Sequence, residues 1–198
     1  FVVLIDNFEL ALQVKATLMR KVIETNRFYC RSWTESDLPL VLDLHQNSDV
    51  MRFFPGIATS DECRQFLLKM QGVFEEHSFA YLPVFKTDSD RFVGWVGLSN
   101  QTYLSEDFVD IGWRLLPEFW GQGIATEMAS AFISYGFDHL KLDRIYAVAP
   151  KLNIPSIRLM ERIEMKFEST FMHPKLSEDI FPDHSHLQLC VRYKISKP

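Results

Sequence analysis

The sequence predicts a single mixed α/β domain: a sheet with helices on its faces. Three observations predict it. Strand-like and helix-like periodicities follow one another in the order ββ-rich, then βαβα, then ββ, the pattern of a mixed sheet and not of a bundle or a sandwich. Hydrophobic residues make up 47% of 198 residues, and seventeen Phe and four Trp supply bulky apolar area for a core. No internal repeat or low-complexity linker divides the chain.

The elements come in order. Residues 27–31 (RFYCR) alternate weakly, as a first strand does. Thr34 followed by Asp37 has capping-box spacing and opens a helix over 38–46. FFPG at 53–56 breaks the chain, and Ser60 caps a second helix through Glu76, with Phe66, Leu67, Met70 and Phe74 at helical spacing. Strand-like runs follow at 80–86, 91–99 and 108–116, the first two joined by the polar turn TDSD. A Gly-rich turn leads into a helix over 126–139, and RIYAVA at 144–149 is a short strand. A helix over 153–163 tolerates Pro155 in its first turn. Residues 166–173 and 187–194 are strands around a polar loop.

Charge and composition narrow the function. A net charge of −5 and a pI near 5.7 argue against a broad nucleic-acid or anionic-membrane surface. No run reaches the about 18 apolar residues of a membrane helix. The three cysteines, Cys30, Cys63 and Cys190, are odd in number and lack metal-ligand spacing, so a reducing, cytoplasmic setting is expected. Residues 1–18 carry Asp6 and Glu9 inside their apolar run and do not read as a signal peptide. They are expected to be an extension, native or added upstream, to one domain over 19–198, with Met19 available as a start.

The strongest local signal is Trp120-Gly121-Gln122-Gly123-Ile124-Ala125-Thr126-Glu127, between a strand and a helix. Paired glycines let backbone N–H groups converge, and the helix N-terminus adds unsatisfied donors and a favourable dipole, which suits a pyrophosphate. The turn is neither a GxxxxGK[ST] loop nor a GxGxxG fingerprint. A plain strand–helix turn that uses glycine for packing is the bland alternative.

Two blocks extend the signal: IGWRLLPEFWGQGIATEMASAFISYGF, then RIYAVAPKLNIPSIRLMERIEMKFE. Together, in this order, they resemble the GNAT superfamily of N-acetyltransferases, and in particular its RimJ/RimL (ribosomal-protein N-terminal acetyltransferase-like) branch. The resemblance runs from about Ile23 to Ile195. It implies a predominantly antiparallel GNAT-type sheet with a V-shaped splay between the fourth and fifth strands, acetyl-CoA as co-substrate, and direct transfer to an amine without a covalent enzyme intermediate. It places pantetheine along Trp113, Arg114, Leu115 and Leu116. The pyrophosphate falls on Gly121, Gln122, Gly123, Ile124, Ala125 and Thr126, and Asn153 and Ser156 lie beside the CoA arm. The sequence departs from the family at Trp120, where Gln or Arg is usual, and at Glu164, where Gly usually follows the helix. A left-handed Glu164 costs roughly 1 kcal/mol relative to Gly.

Acyl transfer from a thioester needs an oxyanion donor, an exit for the ammonium proton and a proton for the leaving thiolate. A backbone N–H near Leu115 can serve the first. Ser156 can protonate the thiolate, or be only a first-turn hydroxyl. Asn153 can be an N-cap, a CoA contact, or both. Asp110, where the branch more often has Glu, can take the amine proton through water or attract a cation, or be a satisfied strand-end carboxylate. His173 can act as base at the border of the acceptor groove, or be neither ligand nor base, and Phe53 and Phe54 can wall the acceptor pocket or simply be core. His184 and His186, near Asp179 and Asp183, converge poorly for a metal, and none is expected. Two other classes stay open: a non-catalytic acyl-CoA-binding module on the same fold, and a nucleotide-binding transferase. The acceptor is expected to be a small-molecule amine or a protein N-terminus, with no nucleic acid and no membrane, for a monomer or homodimer.

Overall fold

The structure, a computed structural model, describes residues 21–104, 106–177, 180 and 182–198. The expected extension over 1–18 lies outside the described residues, as does Asp179. Among the described residues the strands are β1 (Lys21–Glu24), β2 (Phe28–Arg31), β3 (Tyr81–Lys86), β4 (Phe92–Gln101), β5 (Phe108–Leu115), β6 (Arg144–Pro150), β7 (Lys166–Met172) and β8 (Leu189–Ser196). They form one sheet in the order β1-β2-β3-β4-β5-β6-β8-β7. Every neighbouring pair is antiparallel except β5 and β6. The helices are α1 (Leu38–His45), α2 (Ser48–Met51), α3 (Ser60–His77), α4 (Ile124–Asp138) and α5 (Ile154–Arg162).

Every element expected from the sequence is present, with ends moved by at most two residues. Two were missed. β1 is four residues with charged ends and pairs with β2 through a register shift between Lys21 and Ile23, too short for a period to declare itself. α2 is a single turn held by Asn47, whose Oδ1 accepts from Asp49 N–H (3.0 Å) and Val50 N–H (3.2 Å). One cap moves: Thr59, not Ser60, starts α3. Its Oγ1 accepts from Glu62 N–H at 3.3 Å while the Glu62 carboxylate accepts from Thr59 N–H at 2.7 Å. The Asp37 box is completed differently. The Asp37 carboxylate accepts from Thr34 N–H at 2.8 Å and takes a bidentate pair from Arg31 at 2.7 and 2.8 Å.

The core lies on both faces of β4 and β5. α4 packs on the face that carries Leu98, Ile111 and Ile145, and Phe132 and Met128 from α4 are fully buried there. α1 and α3 pack on the opposite face, where Phe66 of α3 meets His45 of α1 (4.6 Å between ring centroids) and Trp95 of β4 (5.9 Å). Each fully buried side chain of this size contributes about 1.5–3 kcal/mol. Past α5, Glu164 takes φ +65°, and Met165 N–H reaches back to Met160 O at 3.0 Å, with Met165 buried against the helix. The left-handed stop is therefore made with Glu in the place that favours glycine.

β4 and β5 pair along their whole length, from Gly94 opposite Leu115 to Gln101 opposite Phe108. β5 and β6 register at Asp110 opposite Tyr146, and β5 then runs on to Leu115 as β6 departs. This is the expected splay. With β1 counted, it lies between β5 and β6.

Candidate active site

β5 organises the site because its two faces meet different surroundings. Leu116 N–H bonds Val93 O at 3.0 Å, and the register with β4 is unbroken. By the alternation of an antiparallel ladder, the main-chain groups of Arg114 and Gly112 then face β4, and those of Trp113 and Leu115 face the splay. Among the four β5-end residues expected beside the cofactor, Trp113 and Leu115 thus turn their main chain into the splay. Arg114 and Leu116 spend theirs on β4.

At the end of β5 the turn is open. Gly121 and Gly123 have φ of +73° and +75°, and a Cβ added at Gly121 would meet nothing within 4 Å. Among the described residues, the N–H groups of Gly121, Gln122, Gly123, Ile124, Ala125 and Thr126 have no main-chain acceptor, and the first helical bond is Glu127 N–H to Gly123 O. These unspent donors at the positive end of α4 make a cradle that fits a pyrophosphate. Arg27 lies at its rim, paired with Glu127 at 2.6 Å and donating to Gln122 O at 3.3 Å. The indole of Trp120 donates to Leu115 O at 2.8 Å, which ties the turn to β5.

Across the splay, Asn153 caps α5, its Oδ1 accepting from Ser156 N–H at 3.2 Å. The hydroxyl of Ser156 does no capping. It accepts from the Trp113 indole N–H at 3.2 Å, and so is held at the splay on the α4 side of β5 with its own proton free to donate.

The opposite face of β5 carries Asp110, Gly112 and Arg114. Asp110 is buried, and its Oδ1 accepts from the Tyr81 hydroxyl (2.7 Å) and from Gln101 Nε2 (3.0 Å). Burial pushes its carboxyl up to about 6, and those two hydrogen bonds hold back part of the rise. Gly112 has no side chain because the Tyr81 ring lies against it, and Tyr81 stacks on Trp95 with centroids 4.6 Å apart. The Arg114 guanidinium sits over Phe54 (3.9 Å) and Trp95 (5.2 Å). Phe54, one of the two residues expected to wall an acceptor pocket or be core, covers the Arg114 guanidinium, while Phe53 stacks under Arg52 at 4.6 Å.

His173 sits at the other end of this face, against Tyr103 with centroids 4.4 Å apart. Burial and the nearby Lys175 push its pKa down to about 4, and its Nδ1 accepts from Lys175 N–H at 3.2 Å. It is thus neutral near pH 7 with one lone pair already engaged, a weak base. His184 and His186 lie 6.0 Å apart between ring centroids, and no group of three or more His, Cys, Asp or Glu comes together to hold a metal among the described residues. Nor is any helix among them long and apolar enough to cross a membrane.

Sequence reasoning missed Tyr81, Gln101 and Trp95, which build the Asp110 face. A weak signal existed: in a meander 80–86, 91–101, 108–115, aromatic and amide side chains at alternate positions must share a face with Asp110. Arg27 and Glu127 are 100 positions apart, and nothing local pairs them.

Comparison with known proteins decides the family. The family model described as an acetyltransferase (GNAT) domain matches residues 27–166. The chain is a GNAT acetyltransferase. Within the GNAT proteins it is 33% identical over 150 residues to the uncharacterised N-acetyltransferase YnaD of Bacillus subtilis, covering 75% of this chain and 85% of YnaD. It is 26% identical over 148 residues to the spermidine N(1)-acetyltransferase of Escherichia coli, covering 72% of this chain and 75% of that protein. Among solved structures, a GNAT-family acetyltransferase from Bacillus anthracis superposes with TM-score 0.71 at 30% identity, covering 89% of this chain and 98% of that one. The reaction class is acetyl-CoA-dependent N-acyl transfer, and the mixed, mostly antiparallel sheet is the GNAT fold.

Proposed function

We propose that this GNAT enzyme belongs to the RimJ/RimL-type branch and moves the acetyl group of acetyl-CoA directly to a primary amine in a ternary complex. The observation that carries this reading is the row of unspent N–H groups at residues 121–126, opening on the same side of β5 as Ser156. Pantetheine lies along the main chain of Trp113 and Leu115, with Asn153 and Ser156 beside it. The amine comes from the Asp110 face. Its nitrogen attacks the thioester carbon, a C–N bond forms and the C–S bond breaks. The ammonium proton leaves through water to Asp110. The thiolate takes the Ser156 hydroxyl proton, which water restores, giving the N-acetyl amine and free CoA.

Two features support these roles. Asp110, with its carboxyl raised to about 6, is ionised near pH 7 yet closer to neutrality than an ordinary carboxylate, which suits a proton acceptor. Ser156 is positioned by Trp113 and keeps its proton available. His173 is not assigned the base. Acetylation of an amine also agrees with the name of the spermidine-acetylating relative. The test is an amine screen with thiol detection of released CoA. Amine-dependent CoA release is expected, and release independent of any amine would sink direct transfer.

A further inference from the structure

Arg114 is built into the acceptor face without a partner of its own. Its guanidinium is clamped between Phe54 and Trp95, and its Nε is buried with no hydrogen-bond acceptor. Among the described residues no carboxylate pairs with it, and none of its guanidinium N–H groups donates a hydrogen bond. The other inward arginines are neutralised: Arg31 by Asp37, and Arg192 by Glu106 and Glu168. A half-buried cation with its planar fork of donors unspent is costly to keep unless an anion completes it.

Its position defines which anion. Arg114 and Asp110 lie on one face of one strand, separated by Gly112, with the stacked rings of Tyr81 and Trp95 forming an apolar floor between them. A proton-accepting carboxylate stands at one end and an unpaired guanidinium at the other. We infer that the acceptor is a carboxylate-bearing amine, its amine turned toward Asp110 and its carboxylate paired with Arg114. This rests on the acyl-transfer reading above. A single guanidinium matches a single negative charge, and the same unpaired cation disfavours a polyamine, which brings only further positive charge.

The experiment measures kcat/KM for α- and ω-amino acids, each against its own carboxamide, and for spermidine. The amide's amine is the less basic, so chemistry alone favours the amide. For at least one acid–amide pair we expect the acid to win by about 30-fold or more, as a desolvated charge pair provides. Arg114→Gln should collapse that ratio, and Arg114→Lys should restore part of it. Acetyl-CoA affinity, measured by calorimetry on the same preparations, shows that each variant is folded and loaded. Equal rates on every acid and amide, a preference for spermidine, or an unchanged ratio in Arg114→Gln would each overturn the inference. Failure of all the amines with acetyl-CoA still bound would remove this acceptor class and leave the cofactor site standing. Failure to bind acetyl-CoA would remove both.

Discussion

Along its splayed edge, at Trp113 and Leu115, β5 presents main-chain groups beside an open cradle of N–H donors. On the α1 and α3 side, at Asp110 and Arg114, the same strand presents charged side chains set in aromatic rings. Main-chain recognition depends on where glycines stand and tolerates change in most side chains. Side-chain recognition depends on partners brought from β3, β4 and the loop before α3. Under the proposed reading, a cofactor half and an acceptor half could diverge separately, because the two are written into alternate residues of one strand.

Substitutions on each face should separate in what they damage. The largest effect is expected from Asp110→Asn, which keeps the oxygen that accepts from Tyr81 and Gln101 but removes the base. kcat should fall by about 10³-fold while acetyl-CoA affinity stays within about twofold. In the parent, activity should rise as pH climbs through about 6, where Asp110 ionises. Stability should move the other way. The folded carboxyl is raised, so the stability it contributes is present below the unfolded pKa and is lost as pH rises through about 6. The ionised, buried carboxylate thus costs about 3 kcal/mol at pH 7. Asp110→Asn should then melt no lower than the parent at pH 7, and a melt several degrees lower would recast Asp110 as a structural carboxylate.

Ser156→Ala comes next, with kcat expected to fall by about 10²-fold and acetyl-CoA KM little changed. Because Asn153, not Ser156, caps α5, the stability loss should be limited to the Trp113 hydrogen bond, about 1 kcal/mol or less. An intact kcat would leave the thiolate to take its proton from water. On the cofactor side alone, Gly123→Val forces a branched residue to φ +75° at the mouth of the cradle. Acetyl-CoA should bind about 30-fold more weakly by calorimetry, from about 2 kcal/mol of backbone strain and lost N–H convergence. Unchanged affinity in a folded variant would remove the cradle from the cofactor's path. The smallest effect belongs to neither face. Glu164→Gly relieves the left-handed stop after α5 and should raise the melting temperature by about 2–4 °C with kcat unchanged.

The same contrast explains what was legible. The WGQG turn and the NIPS helix start are local, so residues a few positions apart disclosed both the cradle and the cap. The helices and all but the shortest strand showed in their periods. The Asp110 face was legible only as a carboxylate in a strand. Its chemistry comes from Tyr81, 29 positions away, and from burial that no local pattern encodes. Arg114 was read for its main chain, but strand alternation turns its side chain away from the splay and onto Phe54 and Trp95. His173 was legible as a strand-end histidine, but its engaged Nδ1 depends on a turn at Lys175 that its sequence context does not specify.

The register between β5 and β6 also has a mechanical meaning. The sheet is carried by long ladders on either side, β4 with β5 and β6 with β8, joined where Asp110 stands opposite Tyr146. As a load path, the two half-sheets are pages joined at one ladder pair and backed by α4, which packs on Leu98, Ile111 and Ile145 across both. Asp110, the proposed proton acceptor, stands at that joint, while Ser156, held by Trp113, and the turn over 121–126 lie farther along the parting strands. Under the proposed mechanism, a change in the width of the cleft would then move the cofactor's surroundings more than it moves the carboxylate.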